Sequence, residues 1–166
     1  MLACRFKGIS FSVSLRWSPR AHGINSVIRG DVLGENKHAL LMDIDKAPSL
    51  IELCHALDRL LQKYNISDAH VLRSSGDPND EQTWKYHIYI FTAVSYVKAF
   101  EILCDSEMPY SDKMHAKLGA IRDYWTLRLP GKGKKYKKLA IVPGVIKADI
   151  SPHDLKEYET YRRHTL

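Results

Sequence analysis

Two acids spaced by one residue, Asp43 and Asp45, follow the apolar run Ala39-Leu40-Leu41-Met42. Along a strand, residues i and i+2 share a face. Leu40, Met42 and Ile44 then point towards a core, and both aspartates point the other way. Two carboxylates about 6–7 Å apart on one sheet face repel each other unless a cation sits between them. An all-oxygen pair of this kind suits a hard divalent cation, Mg²⁺ or Mn²⁺. The same residues would also form a strand running into an acidic turn. His87 is a third group of chemical interest, an imidazole on an alternating strand that can donate to a phosphate oxygen.

A fourth feature is cationic. The chain carries 25 Lys and Arg against 19 Asp and Glu, a net charge of +6. Six cations and no anion lie between Arg128 and Lys138: Arg128, Lys132, Lys134, Lys135, Lys137 and Lys138. A charge so localised points to a polyanionic partner, nucleic acid or nucleotide phosphate, or else to a solvated basic hairpin.

The elements that must position these groups follow from patterning. At 166 residues, 45% hydrophobic and 27% charged, a single soluble domain is expected. Three scattered cysteines, with no apolar stretch suited to a signal peptide or a membrane span, give the expectation of a reduced, cytoplasmic protein without membrane contact. Gly8 to Trp17 alternates as a half-buried strand, and a second strand or turn is expected around Asn25 to Gly34. His38 to Asp45 reads as a strand, and Ser49 to Glu52 as a capping box opening a helix to about Tyr64. Strands over Ala69 to Arg73 and Trp84 to Phe91 flank a turn-rich loop. Helices are expected from Val94 to Cys104 and from Asp112 to Arg122. Two strands, Tyr124 to Pro130 and Lys138 to Pro143, are expected around the Gly-Lys-Gly-Lys turn. The tail from Pro152 reads as a short amphipathic helix.

The order β-α-β-β-α-β predicts an α+β fold, an RRM or ferredoxin-like split βαβ sheet with an N-terminal β extension. Within one domain, residues 1–36 form the β extension, 37–145 the core and 150–166 the terminal helix. The first and third core strands are central neighbours in that topology, so Asp43, Asp45 and His87 meet on one open sheet face. Tyr89 and Phe91 on that face could stack on RNA bases, but uncompensated aspartates would repel phosphates. A bound metal inverts that sign.

In motif order from Leu40 to Lys138 the chain resembles the archaeo-eukaryotic primases, and among them the primase-polymerases. Their hydrophobic-Asp-x-Asp motif is matched by Leu41-Met42-Asp43-Ile44-Asp45. Their Ser-x-His motif is matched by Lys85-Tyr86-His87, after the loop Leu72-Arg73-Ser74-Ser75-Gly76. Their later strand with an arginine and a following lysine is matched by Tyr124 to Lys134. Lys85 departs from the family serine. The third acid is either Asp112, which also reads as a helix N-cap, or Asp123, with Asp112 preferred.

The resemblance implies a DNA primase or primase-polymerase, a metal-dependent nucleotidyltransferase joining nucleoside triphosphates on a single-stranded DNA or RNA template. Asp43, Asp45 and Asp112 would hold Mg²⁺ or Mn²⁺. His87, Arg128 and Lys134, with Ser74 and Ser75, would contact the nucleotide. Lys132, Lys135, Lys137 and Lys138 would follow the template backbone. Trp84 and Trp125 offer rings either for base stacking or for the core. A helicase or accessory primase subunit is an expected partner. Two other classes compete: a non-catalytic RRM-like single-strand-binding module, and a rolling-circle initiator using Tyr158 or Tyr161 as nucleophile. The second lacks the paired histidines its chemistry needs.

Overall fold

The computed structural model describes residues 2–6, 9–13, 20–28, 37–128 and 137–161. In chain order these form strands β1 (Leu2–Phe6), β2 (Ile9–Val13), β3 (Arg20–Ile28) and β4 (Lys37–Ile44), and helix α1 (Leu50–Tyr64). There follow β5 (Ala69–Ser75), β6 (Lys85–Ser95), α2 (Tyr96–Leu103), α3 (Lys113–Arg122), β7 (Thr126–Arg128), β8 (Lys137–Val142) and β9 (Leu155–Tyr161). The class is α+β. The main sheet runs β7-β3-β4-β6-β5-β8, β9 also pairs β3, and every pairing is antiparallel. β1 and β2 form a separate hairpin, so the alternating stretch after Gly8 keeps its strand character over Ile9–Val13.

The core follows the expected split βαβ order. β4, α1, β5, β6 and α2 occur in sequence, and β6 lies between β4 and β5. Leu40, Met42 and Ile44 on β4, with Tyr86, Ile88 and Ile90 on β6, are fully buried on the helix side. α1 presents Leu53, Ala56, Leu57, Leu60 and Leu61 to them. Each buried leucine stabilises the fold by about 2 kcal/mol. Ser49 caps α1 by accepting from Glu52 N–H at 3.2 Å. Leu50 N–H turns instead to Glu81 Oε1, at 2.6 Å.

Three features differ from the expectation. The first is the tail, which is a strand. After a short 3₁₀ turn at Pro152–Asp154, β9 pairs β3 from Ile28↔Leu155 to Arg20↔Tyr161. A short charged run lacks the length to sustain a helix alone, and an available strand edge outweighs local propensity. Tyr158 and Tyr161 therefore lie on a strand.

The second is the basic segment, whose flanking strands are not a hairpin. β7 pairs β3 and β8 pairs β5, at opposite ends of the sheet order. Local turn residues favour a hairpin, but the long-range edges of β3 and β5 take both strands. Lys132, Lys134 and Lys135 lie outside the described residues.

The third is that the non-helical sheet face is not open. Among the described residues β3 meets β4 at Val27↔His38, and along the rest of its length it pairs with β7 and β9. Leu41, Tyr89 and His87 on that face are 0%, 5% and 7% exposed. Ile24 from β3 and Pro152 from the turn before β9 line one concavity with His70, Tyr89 and Phe91. The β7-β3-β9 layer therefore curls across the face, which becomes the floor of a cleft. Strong strand twist makes such a departure from a flat sheet physically ordinary.

Candidate active site

The site is assembled from the β4–β6 ladder outward. Asp43 is the direct register partner of His87, and Leu41 of Tyr89. Paired residues of antiparallel strands share a face. Asp43, His87 and Tyr89 thus lie together, as their spacing predicts. Asp45 falls one residue past the end of β4 and continues the same row. Its Oδ1 is 2.6 Å from Lys85 Nζ, with both side chains about half exposed. Lys85, the residue standing where the resemblance expects a serine, is the cation beside the carboxylate pair.

β5 extends the row on the other side of β6. Leu72 pairs His87, and beyond it Lys138 of β8 pairs Leu72. A bulge follows: Arg73 pairs Tyr86, Ser75 pairs Lys85, and Ser74 is the extra residue. Such an insertion re-aims the strand end. It brings Ser75 opposite Lys85 and leaves Ser74 half-buried.

The outer edge of β4 is shared by two segments. β3 holds the His38 end. The chain entering α3 holds the other, through the bridge Ile44↔Ser111 and the bond from Asp112 N–H to Asp43 O at 2.9 Å. His115 Nε2 donates to Leu41 O at 3.2 Å. The start of α3 thus takes the place where a fourth ferredoxin-like strand would lie, and β7 is displaced onto β3. Asp112 is the N-cap of α3, its Oδ1 accepting from Met114 N–H at 2.8 Å. Asp123 caps the other end of α3 in the left-handed conformation. Gly119 is needed in between, because a Cβ there would lie 2.1 Å from the indole of Trp125. Trp125 is buried in the core, and Trp84 donates its Nε1–H to Asp77 O, so each indole has a packing role.

The electrostatics single out Asp43 and His87. Burial pushes the Asp43 carboxyl above its usual range; nearby His115 opposes the shift, Asp45 and Asp112 add to it, and Lys85 opposes it. Burial pulls His87 down to about 4, helped by the charges of His115 and Arg128 and opposed by Asp45. His87 is therefore neutral near pH 7. Its Nε2 is 3.7 Å from Asp43 Oδ1, too far for a hydrogen bond. Burial also lowers His115. Arg128, exposed at the end of β7, is the charge that the curled layer brings towards His87.

Asp43, Asp45, His87, Asp112 and Arg128 thus converge, Ser74 and Ser75 stand at the bulged end of β5, and Lys137 and Lys138 lie exposed at the start of β8. Among the described residues, no three His, Cys, Asp or Glu side chains are grouped so as to hold a metal ion by themselves. The acids are nonetheless a hard-oxygen set, and Asp43 is raised first by burial and only secondarily by the charges of Asp45 and Asp112.

His115 is the residue that sequence reasoning missed. Its signal was the Asp112-Lys-Met-His115 spacing, since i and i+3 share a helix face. No described helix is long and apolar enough to cross a membrane. No known family model, curated protein or solved structure matches this chain.

Proposed function

We propose that this chain is a primase-type, metal-dependent nucleotidyltransferase, joining nucleoside triphosphates on a single-stranded DNA or RNA template. The observation that carries the reading is the row of Asp45, Asp43 and His87 on the β4–β6 ladder, with the Arg128 charge reaching His87 from the layer above. Phosphoryl and nucleotidyl transfer depend mainly on positioning and charge neutralisation.

Asp43 and Asp45 would hold Mg²⁺ or Mn²⁺, with the Asp112 charge nearby. Bound there, the cation would neutralise the triphosphate and acidify the attacking hydroxyl. The remaining work belongs to the chain's own groups. Neutral His87 donates an N–H to a phosphate oxygen. Arg128 and Lys134 add cationic contacts, and the Ser74 and Ser75 hydroxyls donate from the β5 bulge. Burial of the cleft floor excludes water, which strengthens each of these interactions. Lys132, Lys135, Lys137 and Lys138 meet template phosphates irrespective of sequence. A helicase or accessory subunit would supply template selection.

Labelled nucleotide incorporation on a single-stranded template, with Mn²⁺, with Mg²⁺ and with chelator, tests the proposal. Incorporation that needs the metal is expected. Template binding without incorporation under either metal returns the chain to a non-catalytic single-strand-binding module.

A further inference from the structure

The cleft floor holds a second feature beside the carboxylates. A concavity of about 290 Å³ is lined by Ile24, His70, Leu72, Tyr89, Phe91 and Lys138. It is predominantly apolar, and its one described cation is Lys138. The rings of Tyr89 and Phe91 are near parallel, 18° apart with centroids at 6.5 Å. His70 meets Phe91 edge-on at 5.3 Å. Such a volume is at the low end for ligand pockets and suits one planar ring system rather than a whole nucleotide.

Its position is informative. Leu72 on its floor pairs His87, and His87 pairs Asp43. The concavity therefore begins two strand spacings, about 10 Å, from the carboxylates. A ring in it and a phosphate at Asp43 would be bridged by a sugar together with part of the phosphate chain. Lys138 completes the same row and pairs Leu72. Aromatic faces with a flanking cation are the usual chemistry for stacking a nucleobase without reading its identity.

We infer that this concavity is a nucleobase pocket, taking the planar base of a nucleotide whose phosphates lie at Asp43 and His87. The inference rests on the nucleotide reading of that site and adds where the base goes. Because the contact is stacking, the pocket accepts purines and pyrimidines alike, and its contribution is about tenfold in affinity, the scale of a single base–aromatic stack.

The test is calorimetric titration of the full chain, in Mn²⁺, with ATP, inorganic tripolyphosphate and adenosine. His70→Trp fills the pocket, and Phe91→Leu removes one ring while keeping apolar bulk; circular dichroism checks folding of both. The expected result is ATP binding about tenfold tighter than tripolyphosphate. Both variants should lose that advantage and leave tripolyphosphate binding unchanged. Equal binding of ATP and tripolyphosphate to wild type would overturn the pocket and leave the triphosphate site standing. Adenosine binding that His70→Trp abolishes, with no tripolyphosphate binding, would support the pocket and overturn the triphosphate site. Variants that weaken ATP and tripolyphosphate equally would also overturn the pocket. So would wild type that binds none of the three.

Discussion

Asp43 on β4 and His87 on β6 are direct cross-strand partners, with Asp43 Oδ1 3.7 Å from His87 Nε2. Burial drives the two in a complementary way, raising the carboxyl and lowering the imidazole to about 4. Both shifts favour the neutral form, so the pair is poised to gain from an added cation and an added phosphate together.

The His87 shift has a stability consequence. Between pH 6.5 and about 4 the unfolded chain takes up a proton that folded His87 refuses. The stability it contributes is complete above pH 6.5 and is lost as pH falls through this window, by about 3 kcal/mol at most. His38, His70 and His115 are lowered as well and act in the same sense. Asp43, raised, acts in the opposite sense, its contribution being lost as pH rises through its folded value. The histidines outnumber it. Urea denaturation at pH 7 and pH 4.5 should show a loss of stability on acidification, and His87→Gln should make that loss smaller by about 2 kcal/mol. Equal losses in the two proteins would contradict the assignment.

Lys85 competes with a cation for Asp45. Lys85→Ala should raise Mn²⁺ affinity about fivefold, the effect of removing one nearby solvated charge, as read by electron paramagnetic resonance of free Mn²⁺. The ion pair is half exposed, so Tm should change by about 2 °C or less. Unchanged or weaker Mn²⁺ binding would remove Asp45 from the site.

Much of this arrangement was legible in the chain. The period-2 alternation over Leu40 to Asp45 and Tyr86 to Phe91 separates core from cleft residue by residue, and both strands obey it. The Ser49 cap and the Leu50–Tyr64 helix follow from equally local signals. What was not legible depends on distant partners. β9 is a strand because Arg20–Ile28 offers an edge more than a hundred residues earlier. Arg128 and Lys137 separate because β3 and β5 each take one of their strands. The covering of the Tyr89 face follows from β3 turning from β4 to pair with β7 and β9, which no hydrophobic period encodes. The placement of His115 against Leu41 O likewise needs α3 to lie along the β4 edge.

The tail strand gives a direct check on that curl. Leu155, 2% exposed, opens β9 opposite Ile28. Leu155→Ala should cost about 2–4 kcal/mol in urea denaturation, the range for a buried leucine truncated to alanine. A loss below about 0.5 kcal/mol would mean the tail is not anchored as a strand.

Arg128 should discriminate between ligands. If its guanidinium meets the triphosphate, Arg128→Ala weakens nucleotide binding about tenfold or more, as expected for a lost charge-assisted hydrogen bond. Single-stranded DNA affinity should change far less, both being read by fluorescence anisotropy of labelled ligands. Equal losses would make Arg128 a general phosphate contact.

The most direct test of metal-dependent nucleotidyl transfer at this site compares the wild-type chain with Asp43→Ala/Asp45→Ala for nucleotide incorporation on a single-stranded template in Mn²⁺ and in Mg²⁺. The double variant should stay folded and still bind template while incorporation vanishes. Incorporation that persists in the folded double variant would contradict metal-dependent transfer at this site.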